Sequence, residues 1–182
     1  MNSPHRFFLL PAIGLAVVLT AHPAQAQSRV GEAAMVKNEV LRVAAATTPI
    51  NVGDALLRDE TVRTGLESAA RLVMADSTNL SLGPNASLKL DRTVFDDEHH
   101  YRDVAVRLTS GAFRFVTGHS EKAAYKITTP LATIGVRGTV LDILSQRGQT
   151  IVVLQEGAST VCTSSRQCID LTQPGGTDRK SV

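Results

Sequence analysis

The stretch Thr78-Asn79-Leu80-Ser81-Leu82-Gly83-Pro84-Asn85-Ala86-Ser87-Leu88-Lys89-Leu90-Asp91 decides the fold class. Leucines alternate with polar residues on both sides of a central Gly-Pro-Asn sequence. Alternation with a period of two puts the leucines on one face of an extended strand, whereas Gly, Pro and Asn favour a turn. Residues 78–82 and 86–91 are therefore predicted to be two half-buried strands around a tight turn.

The same alternation continues through most of the chain. Residues 104–108, 113–115 and 125–127 repeat it, and the more apolar residues 139–144 and 150–155 predict strands that are buried more fully. Residues 31–43 could form a helix, but three β-branched valines and Asn38 favour two strands with a turn at Lys37-Asn38. The pattern predicts one all-β domain of short strands, a sandwich or roll, with a solenoid-like winding left open.

The first 26 residues have the organisation of a secretory signal. Arg6 precedes an apolar run from Phe7 to Leu19, and Ala24-Gln25-Ala26 supplies small residues for a signal peptidase. The run is shorter than the roughly 20 residues that a membrane-spanning helix needs. We expect cleavage after Ala26, an all-β domain over residues 27–172, a flexible tail over residues 173–182, and a periplasmic or secreted location.

Composition argues against several classes of function. The formal net charge is only +2, without a strong basic cluster, so nucleic-acid binding is not expected. Five Phe, two Tyr and no Trp provide few stacking platforms for bases or sugars. GxSxG, HExxH, P-loop and GxGxxG motifs are absent, which argues against an enzyme. We expect no cofactor and no membrane span after signal cleavage, and the sequence leaves the oligomeric state open.

Two cysteines flank a polar pentapeptide near the end of the chain. Residues 158–162 and 168–171 are predicted to be the arms of a hairpin, with Cys162 and Cys168 at its loop end. Facing residues of a hairpin lie within disulfide range, and an exported chain is exposed to oxidising conditions. We expect a Cys162–Cys168 disulfide, with free thiols or pairing between chains as the alternatives.

A polar cluster provides a weak candidate for a metal site. Asp97, His99 and His100 carry oxygen and nitrogen ligands that suit a divalent cation. Adjacent side chains of a strand point in opposite directions, so these ligands could converge only at a turn. We favour a solvated loop here, and His119 is expected in another turn.

Three blocks, taken in order, resemble the FecR domain of bacterial envelope proteins. They are Val52-Gly53-Asp54 with Val62-Arg63-Thr64-Gly65; residues 70–76 with residues 80–88; and Thr129-Pro130-Leu131-Ala132-Thr133-Ile134-Gly135-Val136-Arg137-Gly138-Thr139 with Glu156-Gly157. The resemblance covers about residues 30–171. It implies an all-β envelope module facing the periplasm, whose namesakes signal from an outer-membrane receptor to a sigma factor. This chain looks like a free-standing exported form of that domain.

The residues of these blocks also have a physical interpretation. Asp54 and Asp76 can accept bonds from backbone N–H groups in turns. Arg137 could tie several loop carbonyls together or bind a ligand carboxylate, and we favour the structural role. The glycines of the motif permit positive φ or close packing, and the motif positions are Gly53, Asp54, Thr64, Gly65, Asp76, Gly135, Arg137, Gly138, Thr139 and Gly157.

Three hypotheses of function follow. The first is a non-catalytic binding or signalling module that recognises an envelope protein or glycan through loops or a strand edge. The second is a structural or assembly partner of a larger exported β protein. The third, a hydrolase on a β scaffold, would require a pocket that contains His99 or His119 beside a carboxylate.

Overall fold

The computed structural model describes residues 28–95, 101–119 and 125–181. Every regular element in these ranges is a β-strand, which confirms the all-β prediction. The strands are β1 (Arg29–Lys37), β2 (Val40–Val43), β3 (Thr47–Pro49), β4 (Ala55–Leu57), β5 (Thr61–Thr64), β6 (Ala69–Met74), β7 (Asn79–Leu82), β8 (Ser87–Phe95), β9 (Tyr101–Val116), β10 (Tyr125–Thr128), β11 (Ala132–Gln146), β12 (Gln149–Thr163), β13 (Cys168–Leu171) and β14 (Thr177–Ser181).

Strand pairing divides one continuous sheet into two layers. The first layer runs β4, β1, β6, β7, the C-terminal half of β9, the C-terminal half of β11, the N-terminal half of β12, and β14. The second layer runs β3, β2, β5, β8, the N-terminal half of β9, β10, the N-terminal half of β11, the C-terminal half of β12, and β13. The long strands β9, β11 and β12 therefore pass from one layer to the other.

The core lies between the two layers. Buried and more exposed residues alternate along β6, β11 and β12, so the sheet buries one face along these strands. With no helix in the described ranges, that face can pack only against another part of the sheet. Phe115 in the first layer and Tyr125 in the second do so, with ring centroids 5.1 Å apart. The architecture is a folded two-layer roll.

The register excludes a solenoid among the described strands. All of the strand ladders are antiparallel except the one between β9 and β10. A solenoid would stack successive coils through parallel ladders. The turn predicted at Lys37-Asn38 is confirmed, because β1 ends at Lys37 and Asn38 has a φ of 59°.

The Gly83–Asn85 turn joins two layers rather than two paired strands. The two strands predicted around this turn are present, but β7 and β8 do not pair with each other: each pairs with β9, through Leu82 opposite Phe113 and Ser87 opposite Ser110. Hydrogen bonds to distant segments hold the turn. The Gly83 N–H donates to the Ala112 carbonyl, and the Asn85 N–H donates to the Gly65 carbonyl. A local alternation predicts strands but not their partners.

The end of the chain is more ordered than expected. Residues 173–182 were predicted to be a flexible tail, but β14 pairs with the N-terminal half of β12. The preceding turn is bonded as well: Gly175 N–H donates to the Leu154 carbonyl, and Leu154 N–H to that of Gly176. The described β fold therefore extends to Ser181.

A charged pair is buried beside β5. Glu60 has 0% of its surface exposed, and its Oε2 accepts a bond of 2.5 Å from Arg42 Nε. Arg42 also donates to the Ala55 carbonyl, whereas Glu60 Oε1 has no partner among the described residues. Burial raises the pKa of the Glu60 carboxyl, because its desolvation outweighs the bonds from the Leu57 backbone and Arg42.

Within the described ranges, no helix is long and apolar enough to cross a membrane. The expected signal peptide and its cleavage site lie outside these ranges.

Candidate functional site: the paired bulges of β11 and β12

The most specific sequence motif lies where β11 and β12 bend between the layers. The register of β11 against β12 is regular up to Arg137, opposite Ala158, and shifts before Val140, opposite Glu156. Gly138 and Gly157 have positive φ values of 62° and 83°, respectively. Each strand therefore carries a bulge, and the two bulges face each other. We call this region the paired bulges.

The two glycines approach too closely for a side chain. A Cβ atom at Gly157 would lie 2.0 Å from the Gly138 carbonyl oxygen and 3.0 Å from the Thr139 Cα. Positive φ and close approach both explain the glycine at this position. The prediction that this motif glycine permits both is confirmed.

Among the described residues, Arg137 does not make the structural contacts that the sequence favoured. Its side chain is exposed, and among the described residues it makes no hydrogen bond or ion pair. The expected ties to loop carbonyls are therefore absent within these ranges. Strand alternation is the physical reason, because Val136 is buried and the next side chain, Arg137, therefore points outwards, and the bulge adds Gly138 on the same side.

Thr139 anchors the bulge to the end of β9. The Thr139 N–H donates to Thr117 Oγ1 over 2.8 Å. In return, the Thr139 carbonyl accepts a bond of 3.0 Å from the Thr117 N–H and one of 3.1 Å from the Thr117 hydroxyl. The Thr139 hydroxyl is buried and has no partner among the described residues. Thr117 was not singled out from the sequence, and nothing in its local pattern distinguishes it from other strand threonines.

A cavity of about 530 Å³ adjoins the paired bulges. Its polar lining includes His119 from the segment after β9 and Glu156 from β12, together with Thr117 and Thr139. The His119 and Glu156 side chains are exposed, and they make no hydrogen bond or ion pair with the described residues. The fold thus brings His119 and a carboxylate to one cavity.

A buried carboxylate supports the floor of this region. Asp76 Oδ1 accepts a bond of 3.0 Å from the Thr78 N–H. Asp76 Oδ2 accepts bonds from the Thr78 hydroxyl over 3.0 Å and from the Tyr125 hydroxyl over 2.5 Å. Its carbonyl accepts the His119 N–H over 2.8 Å. The prediction that Asp76 accepts N–H bonds in a turn is confirmed. The Tyr125 hydroxyl was missed, because it comes from a strand 49 residues away.

The other early motif residues lie elsewhere and hold turns. Asp54 Oδ2 accepts the Asn51 N–H over 2.8 Å beside Gly53, which has a φ of 86°. Thr64 Oγ1 donates to the Gly83 carbonyl over 2.7 Å and accepts the Ala86 N–H over 2.8 Å. A Cβ at Gly65 would lie 2.5 Å from Glu39 Oε2. These four residues support the fold rather than the cavity.

At Gly135, neither the backbone conformation nor the surrounding space requires a glycine. It has no positive φ, and the nearest atom to a Cβ built there is the Thr160 carbonyl oxygen at 3.9 Å. An ordinary side chain would fit this position. The prediction of positive φ or close packing is wrong for Gly135.

The disulfide between Cys162 and Cys168 is confirmed. The two residues face each other in the β12–β13 hairpin, with an S–S distance of 2.07 Å and a Cα–Cα distance of 4.0 Å. The weak metal candidates Asp97, His99 and His100 lie outside the described residues. Within the described ranges, no group of three His, Cys, Asp or Glu residues could hold a metal ion.

Comparison with known proteins assigns the family. The sequence profile described as FecR protein matches residues 60–158, which contain Arg137, Gly138, Thr139 and Gly157. The chain belongs to the FecR family. The resemblance in the three sequence blocks is thereby confirmed, and the paired bulges lie within the matched part of this FecR-family chain. No curated protein gives a significant match.

Two solved structures share the fold. Both are crystal structures, at 2.50 and 1.65 Å resolution, of a candidate anti-sigma factor from Parabacteroides distasonis. They are each 13% identical to the FecR-family chain, with TM-scores of 0.53 and 0.51, and the match covers 66% of this chain. The aligned region is 59% of the length of those chains, so this chain matches only about three fifths of each relative.

Proposed function

We propose that this chain is an exported, non-catalytic FecR-family module that recognises a protein or glycan of the bacterial envelope and takes part in signalling. Membership of the FecR family supports a regulatory role. The name of the structural relatives points the same way, because an anti-sigma factor is a signalling protein. The predicted signal peptide supports a periplasmic or secreted location.

The proposal depends on the exposed position of Arg137 and on its lack of a bonding partner among the described residues. A guanidinium that supported the fold would be bonded to carbonyl or carboxylate oxygens, but Arg137 is exposed and makes no such bond with the described residues. Its place in the most specific part of the motif therefore suggests a contact with another molecule. Arginine is enriched among the residues that dominate protein–protein binding energies, and its planar donors can bind a carboxylate in a bidentate manner.

A protein is the favoured partner over a glycan. Sugars are commonly held by stacking on aromatic rings, but the chain has no Trp, and the rings of Phe113, Phe115 and Tyr125 are buried. The paired bulges instead present charged side chains, namely Arg137 and Glu156, on a rigid bend. Such groups suit a protein surface with complementary charge.

The assembly alternative has less support. Recruitment into a larger β protein through an edge needs a long, unprotected edge strand. The outermost strands β3, β4, β13 and β14 have only three, three, four and five residues, and β3 ends at Pro49. Proline cannot donate to a sheet ladder, so these edges are poorly suited to continuous pairing.

The hydrolase alternative rests on the cavity that contains His119 and Glu156. A covalent mechanism would need a hydroxyl nucleophile in that cavity. The Thr139 hydroxyl is buried from solvent, and that of Thr117 donates to the Thr139 carbonyl while it accepts the Thr139 N–H. Neither hydroxyl is available to a substrate, so binding is the better explanation of the cavity.

Site-specific photo-crosslinking in the native periplasm tests the proposal. A photoreactive amino acid at position 137 should give a discrete cross-linked species that mass spectrometry identifies as an envelope protein. The matched control is the same amino acid at position 147, an exposed arginine in the ordinary β11–β12 turn. Identical products from both positions, or none from position 137, would count against recognition by the paired bulges.

Intact-mass measurement tests the export of the chain. Protein from the native host should begin at Gln27, because Ala24-Gln25-Ala26 provides the cleavage pattern. A mass that still includes Met1 to Ala26 would contradict the proposed location.

A further inference from the structure

The two layers of the roll present different outer faces. In the second layer, one outward row contains Lys126, Gly135 and Thr160, and Thr160 donates a bond of 2.6 Å to Asp170. In the first layer, one outward row is instead aliphatic, beside a row that contains Arg71, Ser81, Arg114 and Asp142. A sheet whose inner face already packs against the core is expected to have a polar outer face. The aliphatic surface of the first layer therefore needs an explanation.

Small and aliphatic residues form one continuous row across three strands and the turn after β7. Gly83 N–H donates to the Ala112 carbonyl, Ala112 lies opposite Leu144, and Leu144 lies opposite Ile151. Leu144 and Ile151 face outwards because their neighbours Ile143 and Val152 are in the core. Val153 adds a further aliphatic side chain in the next row. We call Gly83, Ala112, Leu144, Ile151 and Val153 the outer groove.

The outer groove is a depression rather than a flat patch. It lines an open cavity of about 640 Å³. Its lining combines the small residues Gly83 and Ala112 with the larger side chains of Leu144, Ile151 and Val153. A depression with an apolar lining fits protruding aliphatic side chains, whereas a bilayer surface would need protruding residues to insert into it.

Two arginines, Arg71 and Arg179, lie on strands beside the outer groove. Arg114 forms a bidentate pair with Asp142 over 2.6 and 2.7 Å at its edge. Arg71 lies opposite Ser81 in the row that contains Arg114, and Arg179 lies opposite Ile151. Arg71 and Arg179 are exposed and make no ion pair with the described residues. The surroundings of the groove therefore carry an excess of positive charge.

We propose that the outer groove binds an amphipathic helical segment of a partner protein that has an aliphatic stripe flanked by acidic residues. The inference rests on the proposed function insofar as the partner is a protein. The stripe would fill the depression over Ala112, and the acidic flanks would pair with Arg71 and Arg179. The acidic residue in the lining of the groove, Asp142, is already paired with Arg114, so a second copy of this surface would offer Arg71 and Arg179 no free carboxylate there.

Two designed peptides of about 18 residues test the proposal against the whole mature chain. Both have leucines along one helical face; one has glutamates on the flanks and its twin has lysines. The glutamate peptide should bind at least about tenfold more tightly than the lysine peptide, with a preference that weakens as salt is added. Equal affinities, or no binding of the glutamate peptide at about 1 mM, would overturn the proposal.

Three variants locate the binding. Ala112→Gln, at an exposed position in the groove, should weaken binding of the glutamate peptide at least about tenfold. The double variant Arg71→Glu/Arg179→Glu should weaken it by a similar factor. Lys126→Glu, on the outer face of the second layer, should leave it unchanged within about twofold. Equal effects of all three variants would refute the location. Vesicles of phosphatidylglycerol that compete fully with the peptide would indicate a lipid surface instead.

The failures of this inference and of the proposed function are distinguishable. Peptide binding that depends on Ala112, without cross-linking from position 137, would contradict only the role of the paired bulges. Cross-linking from position 137 with no peptide binding would contradict only the outer groove. An increase in mass to a dimer that Ala112→Gln abolishes would assign the groove to self-association and overturn the proposed occupant.

Discussion

The backbone of Gly157 lies against that of Gly138, so closely that a Cβ atom at Gly157 would sit 2.0 Å from the Gly138 carbonyl oxygen. This contact joins the bulge of β12 to the bulge of β11 at the point where both strands pass between the layers. It fixes the bend beside Arg137, and this bend forms one side of the cavity with His119 and Glu156.

Gly157→Ala should destabilise the protein more than backbone strain alone explains. The matched control is Gly148→Ala, because Gly148 also has a positive φ, of 71°, but nothing lies within 4 Å of its Cβ position. The control should cost about 1–2 kcal/mol from its left-handed conformation. Gly157→Ala should cost at least about 2 kcal/mol more because the strands must separate. Equal losses in urea unfolding would show that the strands move apart freely.

Arg137→Ala should leave the free energy of unfolding within about 0.5 kcal/mol of the wild-type value. The reason is that Arg137 is exposed and makes no bond with the described residues. Arg42→Ala is the contrasting variant, since it leaves the buried Glu60 without its ion pair and should cost about 3–5 kcal/mol. Thermal unfolding of both variants measures the difference. A large loss for Arg137→Ala would restore a structural role for this residue.

Reduction of the Cys162–Cys168 disulfide should lower the melting temperature without unfolding the protein. The bond closes a short loop, with a sequence separation of 6, so the chain-entropy estimate is about 2 kcal/mol. It fastens the β12–β13 hairpin at the edge of the second layer rather than the core. Circular dichroism with and without reductant measures the effect, and a reduced protein without β structure would contradict this assignment.

The contribution of Glu60 to stability should fall as the pH rises. Burial raises its pKa in the folded protein above the ordinary value of 4.5, so the folded state binds a proton that the unfolded state has already released. The contribution is therefore complete below the ordinary pKa and is lost as the pH passes through the raised one. The difference in unfolding free energy between wild type and Glu60→Gln should decline across this window. A difference that is constant or that increases with pH would contradict the prediction.

Local sequence predicted the strands, several turns and the disulfide. The leucine alternation of residues 78–91 marks β7 and β8 because side chains of a strand alternate between faces whatever the partner strand is. Asn38 marks a turn because its short amide side chain tolerates a positive φ. The hairpin that pairs Cys162 with Cys168 involves neighbouring segments, so spacing was sufficient to predict it.

Strand partners could not be predicted in the same way. The tight turn at Gly83–Asn85 was predicted, but the strands it joins pair with different halves of β9 rather than with each other. β14 was missed because it is a polar edge strand that follows a Pro-Gly-Gly sequence, and only its ladder with β12 defines it. Pairing is a contact between distant segments, and the alternation of one segment carries no information about its neighbour.

The sequence by itself determined the all-β class, the FecR resemblance and the residues of the motif. Tertiary structure alone decided that Arg137 has no bonding partner among the described residues, because a guanidinium can bond only to segments that the fold brings beside it. It also decided that Gly83 from the turn after β7 and Ala112, Leu144 and Ile151 from three different strands form one outer groove. Such a surface depends on the register between strands, and register is set by the packing of the whole core.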